Sequence, residues 1–151
     1  MEDRFNLFTV LITGISRSIK RIKTEEMKEF NLKSPHVSCL YYLYKEEKLT
    51  AKRLIDICDE DKASISRSID YLEKNGFLFC NDLDKKRYNS YLFLTEKGKI
   101  IAKKICEKID GVLSISSLGL TNEERSIMYS SLAIIANNLK KIEKGRIKNV
   151  D

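Results

Sequence analysis

Residues 50–94 follow an order that few chain topologies accommodate: two short helices, then a β-hairpin, with little spare chain between them. In LTAKRLIDICDE, Thr50 is placed as the N-cap of a helix that buries Leu54 and Ile57. Asp61 then caps a second helix, DKASISRSIDYLEKNGF, in which Ile65, Ile69 and Leu72 recur at i, i+4 and i+7 and so share one face. Asn75-Gly76 ends it, glycine being the usual residue just past a helix C-terminus. Two β-rich runs follow, FLFCNDL and YNSYLFL, on either side of Asp84-Lys85-Lys86-Arg87. In the second run Tyr88, Ser90, Leu92 and Leu94 alternate with Asn89, Tyr91 and Phe93. Upstream, SPHVSCLYYLYKEEK is a further helix, with Ser34 as N-cap and Pro35 at the first helical position. The predicted order is helix, helix, helix, strand, basic tip, strand.

Long apolar seams bracket this block. Phe5, Phe8, Ile12, Ile15, Ile19 and Ile22 step by 3 and 4 in a heptad pattern, and Met128, Leu132, Ile135, Leu139 and Ile142 do the same near the other end. Thr121 and Glu124 form a capping box ahead of the second seam. Ile101, Ile105, Ile109 and Val112 mark another amphipathic helix that begins near Thr95. Such seams pack on each other within a chain or between two chains. With one proline and six glycines in 151 residues, an all-β fold with many turns is excluded. No run of eighteen apolar residues exists, so no transmembrane helix is expected, and the N-terminal stretch lacks the pattern of a secretory signal; a cytoplasmic protein is expected.

The second short helix carries a puzzle. Ser64, Ser66 and Ser68 interleave with its apolar positions, although a serine hydroxyl competes for backbone hydrogen bonds and weakens a helix. The face opposite Ile65, Ile69 and Leu72 carries Ala63, Arg67, Asp70 and Lys74, with Ser64 and Ser66 at its N-terminal flank. Small side chains there allow a helix to sit deep in a DNA major groove, where serine can bond to base edges or phosphates and arginine can make a bidentate contact to guanine.

LTAKRLIDICDEDKASISRSIDYLEKNGFL, then a basic wing, then LFLTEKG, resembles the winged helix-turn-helix of the MarR family of bacterial transcription regulators. The most specific pieces are SRSIDYLEKNGFL (66–78) and LTEKG (94–98), and a weaker likeness covers the whole chain. The resemblance implies a mainly α fold with a small β-hairpin wing: a winged module at about 34–94, and dimerisation helices at about 1–30 and 95–146. It implies a homodimer on a palindromic double-stranded operator, acting as a repressor, with recognition helices in successive major grooves and wing tips in the flanking minor groove. Those roles fall on Ser64, Ser66 and Arg67, and on Lys85, Lys86 and Arg87 of the wing; Ser34, Thr50, Lys62 and Ala63 complete the expected DNA-contact set. One departure concerns the wing. The family pattern sets an arginine seven residues before the threonine of LT, where this chain has Tyr88, and Arg87 lies one residue earlier. Asp70 matches a position that pairs with a wing arginine, so an Asp70–Arg87 pair is expected to orient the wing. The resemblance also implies an effector pocket where the terminal helices meet the winged module, with Arg17, His36 and Tyr41 as candidate ligand residues; thiol oxidation is the alternative mode of control.

Other chemistry finds little support. Cys39, Cys58, Cys80 and Cys106 are 19, 22 and 26 residues apart with no CxxC pair, which excludes a zinc ribbon and leaves thiols in a reducing compartment. His36 and Cys39 at i, i+3 could form half of a metal pair, but the chain has this one histidine and no further ligand nearby. No nucleophile–base pair or glycine-rich phosphate loop can be picked out, so neither an enzyme nor a cofactor is expected. The net charge of +6 is not concentrated in the central block: residues 50–98 hold nine basic and nine acidic residues. That neutrality supports a competing reading, a winged helix that makes protein–protein contacts without DNA readout.

Overall fold

A computed structural model describes residues 4–58, 60–81, 89–143 and 145; side chains are described from residue 6 onward. Among the described residues, six α-helices and a small three-stranded antiparallel sheet follow the expected order, with one short strand, Leu49–Thr50, added. The elements are α1 (Arg4–Glu26), a 3-10 turn (Lys28–Phe30), α2 (Ser34–Glu46), β1 (Leu49–Thr50), α3 (Ala51–Ile57), α4 (Lys62–Lys74), β2 (Leu78–Cys80), β3 (Tyr91–Leu94), α5 (Glu96–Ser116) and α6 (Asn122–Glu143). The chain divides into two compact units, residues 1–110 and 111–151.

The first unit is built around α2. Val37, Cys39, Leu40 and Leu43 of that helix are fully buried together with Leu54 of α3, Ile65 and Leu72 of α4, Leu78 and Leu92 of the sheet, and Ile105 of α5. Apolar periodicity thus fixed which face of α4 and α5 turned inward. Ile57, expected in the core, is only half-buried, because α3 stops there and Cys58 turns out as its C-cap. The sheet order is β1-β3-β2. The hairpin pairs Leu78 with Leu94, Phe79 with Phe93 and Cys80 with Leu92. The two-residue β1 adds a third strand, with Leu49 opposite Leu92 and Thr50 opposite Tyr91. It was invisible to periodicity, since two residues carry no period. Along β3 the expected alternation holds: Ser90, Leu92 and Leu94 are buried and Tyr91 is exposed.

The motif NGF…LTEKG has a physical explanation in the corner between α4 and α5. Gly76 closes α4 at φ 73°, a conformation that costs glycine little. Thr95 Oγ1 donates to the Gly76 carbonyl at 2.6 Å and accepts from Gly98 N at 3.0 Å, while Thr95 N donates to the Phe77 carbonyl at 3.0 Å. Gly98 lies so close to that carbonyl that a Cβ there would fall 1.8 Å from Phe77 O.

α1 and α6 both form as expected, and the Thr121/Glu124 box is reciprocal: Thr121 N donates to Glu124 Oε2 at 2.8 Å and Glu124 N to Thr121 Oγ1 at 3.2 Å. These bonds hold the Glu124 carboxyl below its ordinary pKa. Along α1, Phe8, Ile12, Ile15, Ile19 and Ile22 are all exposed; along α6, so are Leu132, Ile135, Leu139 and Ile142, and α6 buries no residue at all. Among the described residues no helix is long and apolar enough to cross a membrane.

Candidate nucleic-acid interface

α4 carries most of the candidate contact residues, and its start is well defined. Asp61 Oδ1 accepts from Ser64 N at 2.8 Å, the expected N-cap. Thr50 likewise caps α3, accepting from Arg53 N at 3.1 Å. Ile65, Ile69 and Leu72 turn into the core, which leaves Lys62, Ala63, Ser66, Arg67, Asp70 and Lys74 exposed along the outer side of the helix. The outer face therefore offers a small residue at each of two positions and an arginine between lysines, a surface that can approach a groove closely.

The three serines have three different surroundings. Ser66 is exposed. Ser68 is buried, and its hydroxyl donates to the Ser64 carbonyl at 2.8 Å, which removes its competition with the helix. Ser64 is half-buried and lines a cleft between α2 and α4 with Asn31, Lys33, Pro35, His36, Arg67, Ser68 and Tyr71. Ser64, Ser68 and Tyr71 thus form an i, i+4, i+7 stripe facing the start of α2, where small side chains allow the two helices to approach. The expectation that Ser64 simply flanks the outer face is corrected by this packing.

His36 anchors the other side of that cleft. Its ring stacks on Tyr71 with centroids 4.3 Å apart and planes 3° apart. Nδ1 accepts from Lys33 N at 3.1 Å, so Lys33 is the N-cap of α2 and the imidazole satisfies a backbone donor there. The expected cap, Ser34, lies one residue too late, because the backbone carbonyl that opens the helix is that of Lys33. Burial first, and then the Lys33 ammonium, push the His36 pKa below its ordinary value of 6.5.

The remaining candidates are dispersed. Ser34 is buried and faces a cavity of about 290 Å³ between α1 and α2, lined also by Ile12, Ile15, Ser16, Ile19, Lys20, Lys23, Ser38 and Glu60. Arg17 sits on the outside of α1 in a shallow depression with Lys20, Arg21, Thr24 and Glu25. Tyr41 is half-buried and meets Tyr42 edge-on at 5.2 Å, with the Lys45 ammonium 5.7 Å from its ring centre. Arg17, His36 and Tyr41 therefore lie in three separate surroundings and do not form one pocket. The polar groups that do converge in the α1–α2 cavity are Lys23, whose Nζ donates to Ser38 Oγ at 3.2 Å, and Glu60, 3.6 Å from Lys20. The sequence signal for them was a polar residue inside an apolar pattern: Ser38 sits between Val37 and Cys39, and Lys23 follows Ile19 by one turn. Lys85, Lys86, Arg87 and the proposed partner of Asp70 lie outside the described residues.

No family model matches the chain, and no curated protein matches it in sequence. Solved structures do match. A MarR family transcriptional regulator from Listeria monocytogenes, crystallised with a 26mer DNA, is 25% identical, with a TM-score of 0.79 over 99% of this chain and 100% of that one. The organohalide-sensing regulator RdhR-CbdbA1625, in its 2,4-dichlorophenol-bound form, is 26% identical, with a TM-score of 0.72 over 91% of this chain and 82% of the other. A MarR regulator from Methanosarcina mazei Go1 is 24% identical, with a TM-score of 0.77 over 94% of each chain. From the order of α3, α4, β2 and β3 around α2, through the Gly98 corner, to these near full-length overlaps, the chain has the MarR-type winged-helix fold.

Proposed function

We propose that the chain is a sequence-specific double-stranded DNA-binding transcription regulator rather than an enzyme, and that it works in the cytoplasm as a homodimeric repressor on a palindromic operator. The observation that carries this is the outer side of α4: a capped helix buries its apolar stripe and leaves Ala63, Ser66 and Arg67 exposed beside Lys62 and Lys74, in a fold shared with a regulator solved on DNA. α4 enters the major groove. Arg67 and Ser66 read base edges, Lys62 and Thr50 contact the backbone, and the wing residues Lys85, Lys86 and Arg87 reach phosphates and the minor groove. Homodimerisation covers the exposed seams of α1 and α6, which a monomer would leave as a long apolar surface. The α1–α2 cavity is the site for a small effector, a role supported by the ligand-bound organohalide-sensing neighbour. Such an effector weakens DNA binding by favouring an arrangement in which the two α4 helices no longer match successive grooves.

Selection of bound duplexes from a random DNA pool tests the function, followed by affinity measurements at several salt concentrations. Binding should weaken steeply as salt rises, because phosphate contacts release counterions. The even charge balance of residues 50–98 favours one rival, a winged helix that contacts only proteins. No enriched sequence and a flat salt response would establish that rival.

A further inference from the structure

The cleft between the start of α2 and one side of α4, a cavity of about 420 Å³, gathers cations and hydrogen-bond donors. Lys33 and Asn31 line it from the start of α2 and the turn before it, Arg67 lines it from α4, and among the described residues that line it none is acidic. Two cations facing one cleft repel each other until an anion lies between them. His36, 8% exposed, is the buried polar group of the cleft. Its ring is fixed twice, by the stack on Tyr71 with centroids 4.3 Å apart and by Nδ1, which accepts from Lys33 N at 3.1 Å. In the neutral ring the proton is therefore on Nε2, the polar atom of His36 left to serve the cleft.

A donor-lined cleft without a carboxylate suits a phosphate oxyanion, which accepts several hydrogen bonds at once and cancels the positive charge. The position on α4 identifies the source. A helix in a major groove is flanked by phosphate backbone, and Arg67 belongs both to the cleft and to the exposed outer side of α4. We propose that the α2–α4 cleft seats one backbone phosphate of the bound duplex, held by Lys33, the Asn31 amide and the Nε2–H of His36, and that DNA binding thereby takes up a proton on His36. This seat rests on the function proposed above, and adds to it a pH dependence carried by the chain's one histidine. Without DNA a charged ring is disfavoured: burial first, and then the Lys33 ammonium, hold the His36 pKa below 6.5. The other groups facing the ring across the cleft are Arg67 and Tyr71 from α4 and Asn31 from the turn, and none is a carboxylate. From α1, Lys20 and Lys23 belong with Glu60 to the separate cavity on the side of α2 marked by Ser34 and Ser38. A seated phosphate supplies the missing negative charge, so the His36 pKa is higher in the complex than in the free protein. The added proton enters from solvent at Nδ1 and displaces the Lys33 N–H, while Nε2–H stays on the phosphate. The state that binds more protons is favoured as pH falls, so DNA affinity rises toward acid.

Fluorescence anisotropy with a selected duplex, at constant ionic strength and without phosphate buffer, tests this. For wild type the dissociation constant should fall by roughly threefold to tenfold between pH 7.5 and 6.0, one pKa unit corresponding to tenfold. His36→Gln should lose that gain. Because this variant also loses the Tyr71 stack, a second arm keeps the wild-type protein and moves one uncharged methylphosphonate linkage along each strand. At one position per half-site the linkage should weaken binding by roughly tenfold and abolish the gain at pH 6.0; on Lys33→Gln the same linkage should cost much less. A wild-type affinity that is flat or falls toward acid, a gain retained in His36→Gln, or no linkage that abolishes the gain would each overturn the proposal. Inorganic phosphate separates this seat from a site for a free anion. A rise in melting temperature with phosphate that Lys33→Gln removes, together with DNA affinity that is flat in pH, would assign the cleft to the free anion and overturn the duplex seat. Failure to bind any selected duplex at either pH would overturn the regulatory function instead.

Discussion

Replacing Gly98 with alanine tests the corner that joins α4, the hairpin and α5. The added Cβ would stand 1.8 Å from the Phe77 carbonyl oxygen and 2.9 Å from its carbon, both backbone atoms that cannot swing aside. Ordinary van der Waals contact for a Cβ begins at 3.4 Å, so α5 and the Phe77 peptide must separate by roughly 1.6 Å. That movement strains or breaks the Thr95 N to Phe77 O bond of 3.0 Å and the Thr95 Oγ1 to Gly76 O bond of 2.6 Å. Each contributes about 1 kcal/mol, and overpacking adds roughly 1–3 kcal/mol. Alanine's better helix propensity returns about 1 kcal/mol. The net loss is about 2–4 kcal/mol, or a fall in melting temperature of roughly 5–15 °C for a chain of this size. Gly111 in the same helix provides the control: nothing lies within 4 Å of its added Cβ, so Gly111→Ala should stabilise the helix by about 1 kcal/mol or less. Thermal melts followed by circular dichroism measure both. Equal melting temperatures for Gly98→Ala and Gly111→Ala would refute the close approach and the reason given for the LTEKG motif.

Arg67→Ala should weaken a selected site by about 1–3 kcal/mol and relax specificity at one position, whereas replacing Lys85 and Lys86 together should weaken all duplexes evenly and flatten the salt slope; the reverse pattern in binding titrations would reassign the reading helix. Ser66→Leu should cost DNA affinity with little change in melting temperature, while Ser64→Leu should lower the melting temperature as well, because Ser64 packs in the cleft with His36 and Tyr71; indistinguishable melts would remove that seam from the account. Ile15→Glu or Leu139→Glu should turn a dimer into monomer or unfolded chain, and light scattering showing the wild type as a stable micromolar monomer would refute the seams' role. The depressed pKa of His36 means that the unfolded state binds the proton more readily, so its contribution to stability is complete above about pH 6.5 and is lost as pH falls below that value. Protonation would also put a positive charge at the N-terminal end of α2 and remove the acceptor for Lys33 N. His36→Gln, which retains an acceptor but does not titrate, should therefore lose less stability between pH 7 and 5 than wild type; parallel stability curves would exclude His36 as the cause.

Much of this protein was legible in its sequence because local rules and tertiary packing agree. Asp61, Thr50 and Thr121 cap helices in the structure as their types and spacing require, and Ile65, Ile69 and Leu72 turn inward because a 3.6-residue period leaves a helix one apolar face to bury. The seams at 5–22 and 128–142 were equally plain, since a heptad pattern does not depend on what covers it. Tertiary structure decided whatever depends on the neighbouring element. Two of the three serines on α4 face α2, not outward, because a wheel drawn for one helix carries no information about where a second helix crosses it. His36 became a cap and a stacking partner, while Arg17 and Tyr41 went to separate surroundings, because side chains far apart in sequence converge only through packing. The same reason explains the cavity polar groups Lys23, Ser38 and Glu60: the distance between α2 and the α3–α4 turn is set by the shared core around Leu40, Leu54 and Ile65, and no local spacing encodes it.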